Sequence, residues 1–229
     1  MQLSTARMMA PASLAINFGA QLYGSLSKPN IKDIADANHY AFSPNPYFIG
    51  AFFAPQLVLQ LLWLRQFFVR NGEAVEPPQL SYAPIDVIGN MSLAAWMVFW
   101  QAEQFGLSEL MVAINTFSQL YAVSQLPPVG PENRLTHFVA KSFAGIGILD
   151  LFDNGGVAMR YPAPPSFAVQ AMTSACFLAS SVMSDWIMGG VLVYDLVAMA
   201  VGQKDTWGGT LGWLGGACAA IVVVKNAVF

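Results

Sequence analysis

Long apolar runs separated by short polar, Pro- and Gly-rich stretches make up nearly the whole chain. A helix needs roughly 20 apolar residues to cross about 30 Å of hydrocarbon. The runs at 8–26, 47–69, 85–105, 107–126, 136–152, 166–201 and 206–225 approach or exceed that length. Between them lie SKPN, NGEAVEPPQ, QLPPVGPENR, DNGGVAMRYPAPP and GQKD, which read as breaks. The separator at Gly106 is minimal, so the third and fourth runs predict a tight helical hairpin. The 166–201 run exceeds one ordinary span. It reads either as one helix kinked near Gly189-Gly190, or as two short helices turning at Ser184-Asp185 with Asp185 capping the second. The fold class predicted is all-α: a polytopic transmembrane helical bundle of about seven spans, eight being the alternative. No internal repeat and no long linker divides it, so residues 1–229 form one integral membrane domain.

The polar positions inside these runs are also patterned. Asn17/Gln21, Gln56/Gln60, Asp86/Asn90, Asn115/Gln119 and His137/Lys141 are each four residues apart, hence on one face of a helix, and Trp63 extends the Gln56/Gln60 stripe. An unpaired amide in hydrocarbon costs on the order of 2–7 kcal/mol, so such residues face a bundle interior. Any one pair is accounted for by hydrogen bonding between helices. Taken together they predict a shared polar chamber. Pro44 and Pro46 set an extended entry to the second run. Pro55 frees a carbonyl beside Gln56, which protein or a water-filled cavity must satisfy.

Composition sharpens the picture. Of 229 residues, 55% are hydrophobic and 10% charged, against roughly 25% charged in soluble domains, and the mean hydropathy is +0.50. A lipid bilayer is the expected surrounding. A net charge of −3 with scattered basic residues excludes a nucleic-acid surface. In a seven-span topology Arg7, Arg65, Arg70, Arg134 and Lys204 share one side and Lys28, Lys32, Arg160 and Lys225 the other, which barely engages the positive-inside rule. The first run resembles a signal peptide in its lone Arg7 and apolar stretch, but Asn17 and Gln21 interrupt it and no small-residue cleavage site follows; it reads as a retained span. Cys176 and Cys218 lie in apolar runs and read as small core residues. No metal spacing, phosphate-cradling loop or haem motif occurs, and His39 and His137 alone make a poor metal site; no cofactor is expected.

Carboxylates inside apolar segments carry the candidate chemistry. Aspartate at the centre of a span costs about 2.5–3.5 kcal/mol and marks function by default. Asp185, flanked by ACFLASSVMS and WIMGGVLVY, is the deepest unless the chain turns there. Glu103 and Asp86 lie close to run ends, where capping and solvation compete with function. Asp150 and Asp153 close the fifth run and read as interfacial. Asp195 lies about 15 Å beyond Asp185 on a continuous helix. Lys141 offers a counter-charge to Asp150 or Asp185. Asp185 or Glu103 is the expected acid, with Asp86 as base or water-positioning group beside Asn90. Gln56, Gln60, Asn115 and Gln119 would orient substrate oxygens, while Trp63, Trp96 and Trp100 would offer aromatic faces to cationic character. Trp207 and Trp213 read as interfacial anchors.

The stretch SPNPYFIGAFFAPQ with LLWLR downstream resembles a segment of small multi-pass fungal membrane proteins. Size, helix count and intramembrane acids are similar to those of the integral membrane cyclases of fungal meroterpenoid and polyketide pathways, and WQAEQ around Glu103 is similar to an aromatic-flanked acid. That resemblance implies a cofactor-independent enzyme of secondary-metabolite biosynthesis. It would cyclise a lipophilic polyene or hydrolytically open an epoxide by acid/base chemistry, in the endoplasmic reticulum or another endomembrane, beside other membrane-bound pathway enzymes. A small-molecule transporter or ligand sensor is the alternative, although no inverted repeat is apparent.

Overall fold

The computed structural model describes residues 1–69 and 77–228, within which all regular structure is helical. The elements are α1 (Leu3–Leu26), α2 (Ile31–Ala37), α3 (Pro46–Val69), α4 (Pro77–Gln101), α5 (Phe105–Gln125), α6 (Arg134–Ala158), α7 (Phe167–Met183), α8 (Trp186–Gly202) and α9 (Gly208–Val228). Four helices, α3, α4, α6 and α9, are long and apolar enough to cross a membrane. Helices α7 and α8 are apolar but shorter, at 17 residues each. Arg70 and the first part of the NGEAVEPPQ break lie outside the described residues.

Contacts between helices set their directions. Asn17 meets Asn90 and Gln101 bonds the Gly24 carbonyl, so α1 and α4 run parallel. Arg7 near the start of α1 bonds the Phe67 carbonyl near the end of α3, which therefore returns beside it. Thr116 bonds the Gly147 carbonyl while Glu109 rests on Gly155, so α5 and α6 are antiparallel. Gly189 lies against Val222 and Gly215 against Leu196, so α8 and α9 are antiparallel. Apart from α2, successive helices alternate in direction.

The 166–201 run is two helices, with the turn at Ser184-Asp185. Asp185 accepts from the backbone N–H groups of Ile187 and Met188, both at 3.1 Å, and starts α8. Gly189-Gly190 lies within α8 and breaks nothing. This extra reversal moves Lys204 to the end that holds Lys28, Lys32 and Arg160, and Lys225 to the end that holds Arg7, Arg65 and Arg134. The seven-span assignment of those two lysines is corrected accordingly.

Two boundaries differ from the hydropathy reading. The α4–α5 hairpin turns at Ala102–Gln104, not Gly106. There the Glu103 N–H bonds the Trp100 carbonyl at 3.0 Å and the Gln104 N–H bonds the Phe99 carbonyl at 2.8 Å, a Schellman closure. Glu103 occupies its left-handed position with φ 53°. Helix α6 continues through Gly155-Gly156 to Ala158, with Gly156 tightly packed and Gly155 in ordinary contact. A Cβ at Gly156 would lie 3.1 Å from the Phe42 ring, and one at Gly155 would lie 3.5 Å from the Glu109 carboxylate. Tertiary contact outweighs the low helix propensity of glycine here.

Candidate functional site

A cavity of about 500 Å³ lies between α1, α3, α4 and α6, closed at one end by α2 and the loop around residues 38–46. That is within the size range of small-molecule pockets. Its cover is built from recognisable local chemistry. Asn30 and Asp33 form a capping box that starts α2. Ile34 of α2 then packs with Trp100 and Val157, and Lys32 pairs with Asp36 while lying 5.8 Å from the Tyr47 ring of α3.

The SPNP stretch packs at this end, with Ser43 and Pro44 buried and Asn45 and Pro46 half-buried. The side-chain amide of Gln203 donates to the carbonyls of Tyr40 and Ser43 at 2.7 and 3.0 Å. The Trp207 indole donates to the Ala41 carbonyl at 2.6 Å and meets the Phe42 ring edge-on at 5.6 Å. Asn45 then accepts from the Tyr47 N–H at 3.0 Å, with Pro46 opening α3, a favourable first-turn pairing. Gly202 admits this loop: a Cβ there would lie 2.6 Å from the Pro44 carbonyl carbon.

The cavity wall is apolar along Leu14, Phe53, Leu57, Leu93, Val112 and Phe143, with two polar regions. Towards one end stand Gln56 and Gln60 of α3. Gln56 donates to the Val139 carbonyl at 3.3 Å and accepts from Ser142 at 2.7 Å, which binds α3 to α6. Gln60 is buried, and its Nε2 has no partner among the described residues. Beneath α2 at the other end stand Asp150, Asp153 and Asn154 of α6, on one face by their spacing. Asp153 accepts from Ser43 at 2.9 Å. Asn154 accepts from the Trp96 indole at 2.7 Å and from Ser108 at 3.3 Å. Trp96 and Trp100 stack with centroids 5.7 Å apart and face the cavity. Two further acids lie near Asp150, Glu109 of α5 and Asp195 of α8. Asp195 is fully buried, with both carboxylate oxygens unpartnered among the described residues.

The predicted site residues therefore divide. Gln56, Gln60, Trp96 and Trp100 line the cavity, as do Asn17 and Gln21. Asp185 does not: it caps α8 at the turn and pairs with Lys141. Burial raises its proton affinity, but the Lys141 hydrogen bond and the Met188 and Ile187 N–H groups outweigh that and hold its carboxyl below the usual carboxylate range. Glu103 sits exposed in the α4–α5 turn. Asp86 is buried, with its Oδ1 unpartnered among the described residues, but it does not line the cavity. Asn90 links α4 to α1 through Asn17 at 3.0 Å. Asn115 and Gln119 pack over Gly89, where a Cβ would lie 2.8 Å from Asn115 Oδ1, and Gln119 accepts from Tyr82 at 2.8 Å. Trp63 is fully buried against Phe67 and Tyr82 and donates to Thr136. His137 is buried beside Lys141. The five polar pairs do not share one chamber: two wall the cavity, and the others join helices or lie apart from it. Of the two expected anchors, Trp213 is 84% exposed and Trp207 is buried.

The acids that do meet the cavity were read from sequence as interfacial. The available signal was the DLFDN spacing, which sets Asp150, Asp153 and Asn154 on one face. Hydropathy gave no hint that α6 continues past them or that α2 covers them. Among the described residues no set of His, Cys, Asp or Glu is arranged to ligate a metal ion. No family model, characterised protein or solved structure matches this chain.

Proposed function

We propose that the chain is an integral membrane enzyme in which the eight helices other than α2 cross the bilayer and the cavity holds a lipophilic small molecule for acid/base chemistry. The observation that supports this best is a ligand-sized apolar cavity walled at one end by Asp150 and Asp153. Two carboxyls that share one site resist joint ionisation, and the reaction proposed uses one in its protonated form and the other as the carboxylate. The protonated member gives its proton to an olefin carbon or epoxide oxygen. The cationic carbon so formed is captured by a second double bond or by water, and the charged carboxylate takes up the proton then released. Gln60 supplies an amide donor to a substrate oxygen, and the Trp96/Trp100 faces favour positive charge. The resulting reaction is cyclisation of a polyene or hydrolytic opening of an epoxide, of the terpenoid or polyketide kind. An endomembrane of a fungal secondary-metabolite pathway is the setting proposed, with other membrane-bound enzymes supplying the substrate.

The test is turnover by purified protein in lipid nanodiscs, given epoxy-polyene and prenylated aromatic substrates and followed by mass spectrometry. Asp150→Asn and Asp153→Asn should each lower kcat at least about a hundredfold, in line with loss of a general acid or base, while Asp185→Asn retains it. Full turnover in both cavity variants would remove the assignment. Uptake of unchanged compound into vesicles would instead favour transport.

A further inference from the structure

The acids at the α2 end of the cavity have no basic partner among the described residues. Asp150 and Asp153 open onto the cavity, with Asp195 and Glu109 near Asp150. The ion pairs among the described residues are Lys32–Asp36 and Lys141–Asp185, neither of which reaches these acids. Lys32 lines the α2 end but is held by Asp36 and by the Tyr47 ring. His39, also at that end, is engaged by the Gly202 carbonyl and Gln203. Carboxyls gathered in a low-dielectric interior favour any cation that reaches them. Beside the acids, the stacked Trp96/Trp100 pair lines the same cavity, with Trp96 bonded to Asn154 next to Asp153, and indole faces attract ammonium groups.

Distance along the cavity adds a second constraint. Gln56 is level with Val139 and Ser142 of α6 through its hydrogen bonds. From there to Asp150 is about 12–17 Å at 1.5 Å per residue, lined mainly by apolar side chains. Gln60, whose buried Nε2 is unpartnered among the described residues, lines the cavity one turn farther from the acids than Gln56. We infer that the ligand is a single-chain lipophile bearing a protonated amine, its nitrogen between Asp150/Asp153 and the Trp96/Trp100 pair and its chain running towards Gln60. An oxygen at the chain's far end meets the Gln60 amide. This rests on the reading of the cavity as the ligand site, and it narrows the substrate class from lipophiles in general to those carrying a basic nitrogen.

The experiment compares N,N-dimethyldodecylamine with dodecan-1-ol in zwitterionic nanodiscs at matched mole fraction in the lipid, read by tryptophan fluorescence and thermal shift. The amine should bind at least about tenfold more tightly, as a charge-assisted contact implies. The Asp150→Asn/Asp153→Asn double variant should lose that advantage while still binding the alcohol. Equal affinity for the two probes overturns the inference but leaves the cavity as a ligand site. An amine advantage that survives in the double variant also overturns it, placing the preference elsewhere. If neither probe binds, the reading of the cavity as a ligand site fails, and the inference falls with it.

Discussion

Asp185 and Glu103 are the acids most visible in the sequence, and each has a local backbone task. Asp185 accepts two N–H groups at the start of α8 and pairs with Lys141. Because its folded-state pKa is lowered, the stability it contributes is complete above the unfolded carboxylate value of about 3.9 and is lost as pH falls through the lower folded value. Asp185→Ala should therefore cost about 1 kcal/mol or somewhat more at pH 7. The difference in melting temperature from wild type should narrow below about pH 4. A gap that stays constant down to pH 2 would contradict the role given to this carboxylate. Glu103 holds φ 53°, a conformation that costs a residue with a Cβ about 1–2 kcal/mol. Glu103→Gly should raise the melting temperature and leave turnover intact, whereas loss of turnover would return Glu103 to the chemistry.

At the scale of elements, the cover over the cavity depends on one close backbone approach. The SPNP loop passes over Gly202 and is held there by Gln203 and Trp207. Gly202→Ala puts a methyl group into the Pro44 backbone and should cost about 1–3 kcal/mol as the loop shifts. Hydrogen exchange at residues 40–48 should speed up, with little change in α9. Protection unchanged across that loop would mean that it is not pinned by this contact. The Asn17–Asn90 bond is a different kind of contact, an amide pair joining α1 to α4. A double-mutant cycle to alanine should return a coupling near 0.6 kcal/mol, the usual worth of such bonds in membranes. A value near zero would leave α1 held by apolar packing alone.

For the whole molecule, apolar run length and Pro/Gly punctuation made the helices legible. The spacing of four made it legible that Gln56, Gln60, Asn17 and Gln21 turn inwards. Periodicity does not say which inward faces meet, so Asn115 and Gln119 read the same as Gln56 and Gln60 although they pack over Gly89 instead. Hydropathy alone does not say which acids meet an interior space. Asp185 lies at a turn between two helices too short to be told from one kinked helix. Asp150 and Asp153 share their cavity with α2, a seven-residue element with too few residues to show a hydrophobic period. The claim everything else depends on is that α1, α3, α4 and α6 enclose a space open to small lipophiles. It is tested most directly by cysteine labelling in nanodiscs, with Cys176→Ser and Cys218→Ala as background and Gln60→Cys as reporter. N-ethylmaleimide should modify Cys at position 60 readily, and a Trp63→Cys control on the same helix, within the packed core, far more slowly. Equal resistance at both positions would mean that the interior is closed and that no ligand reaches Asp150 and Asp153.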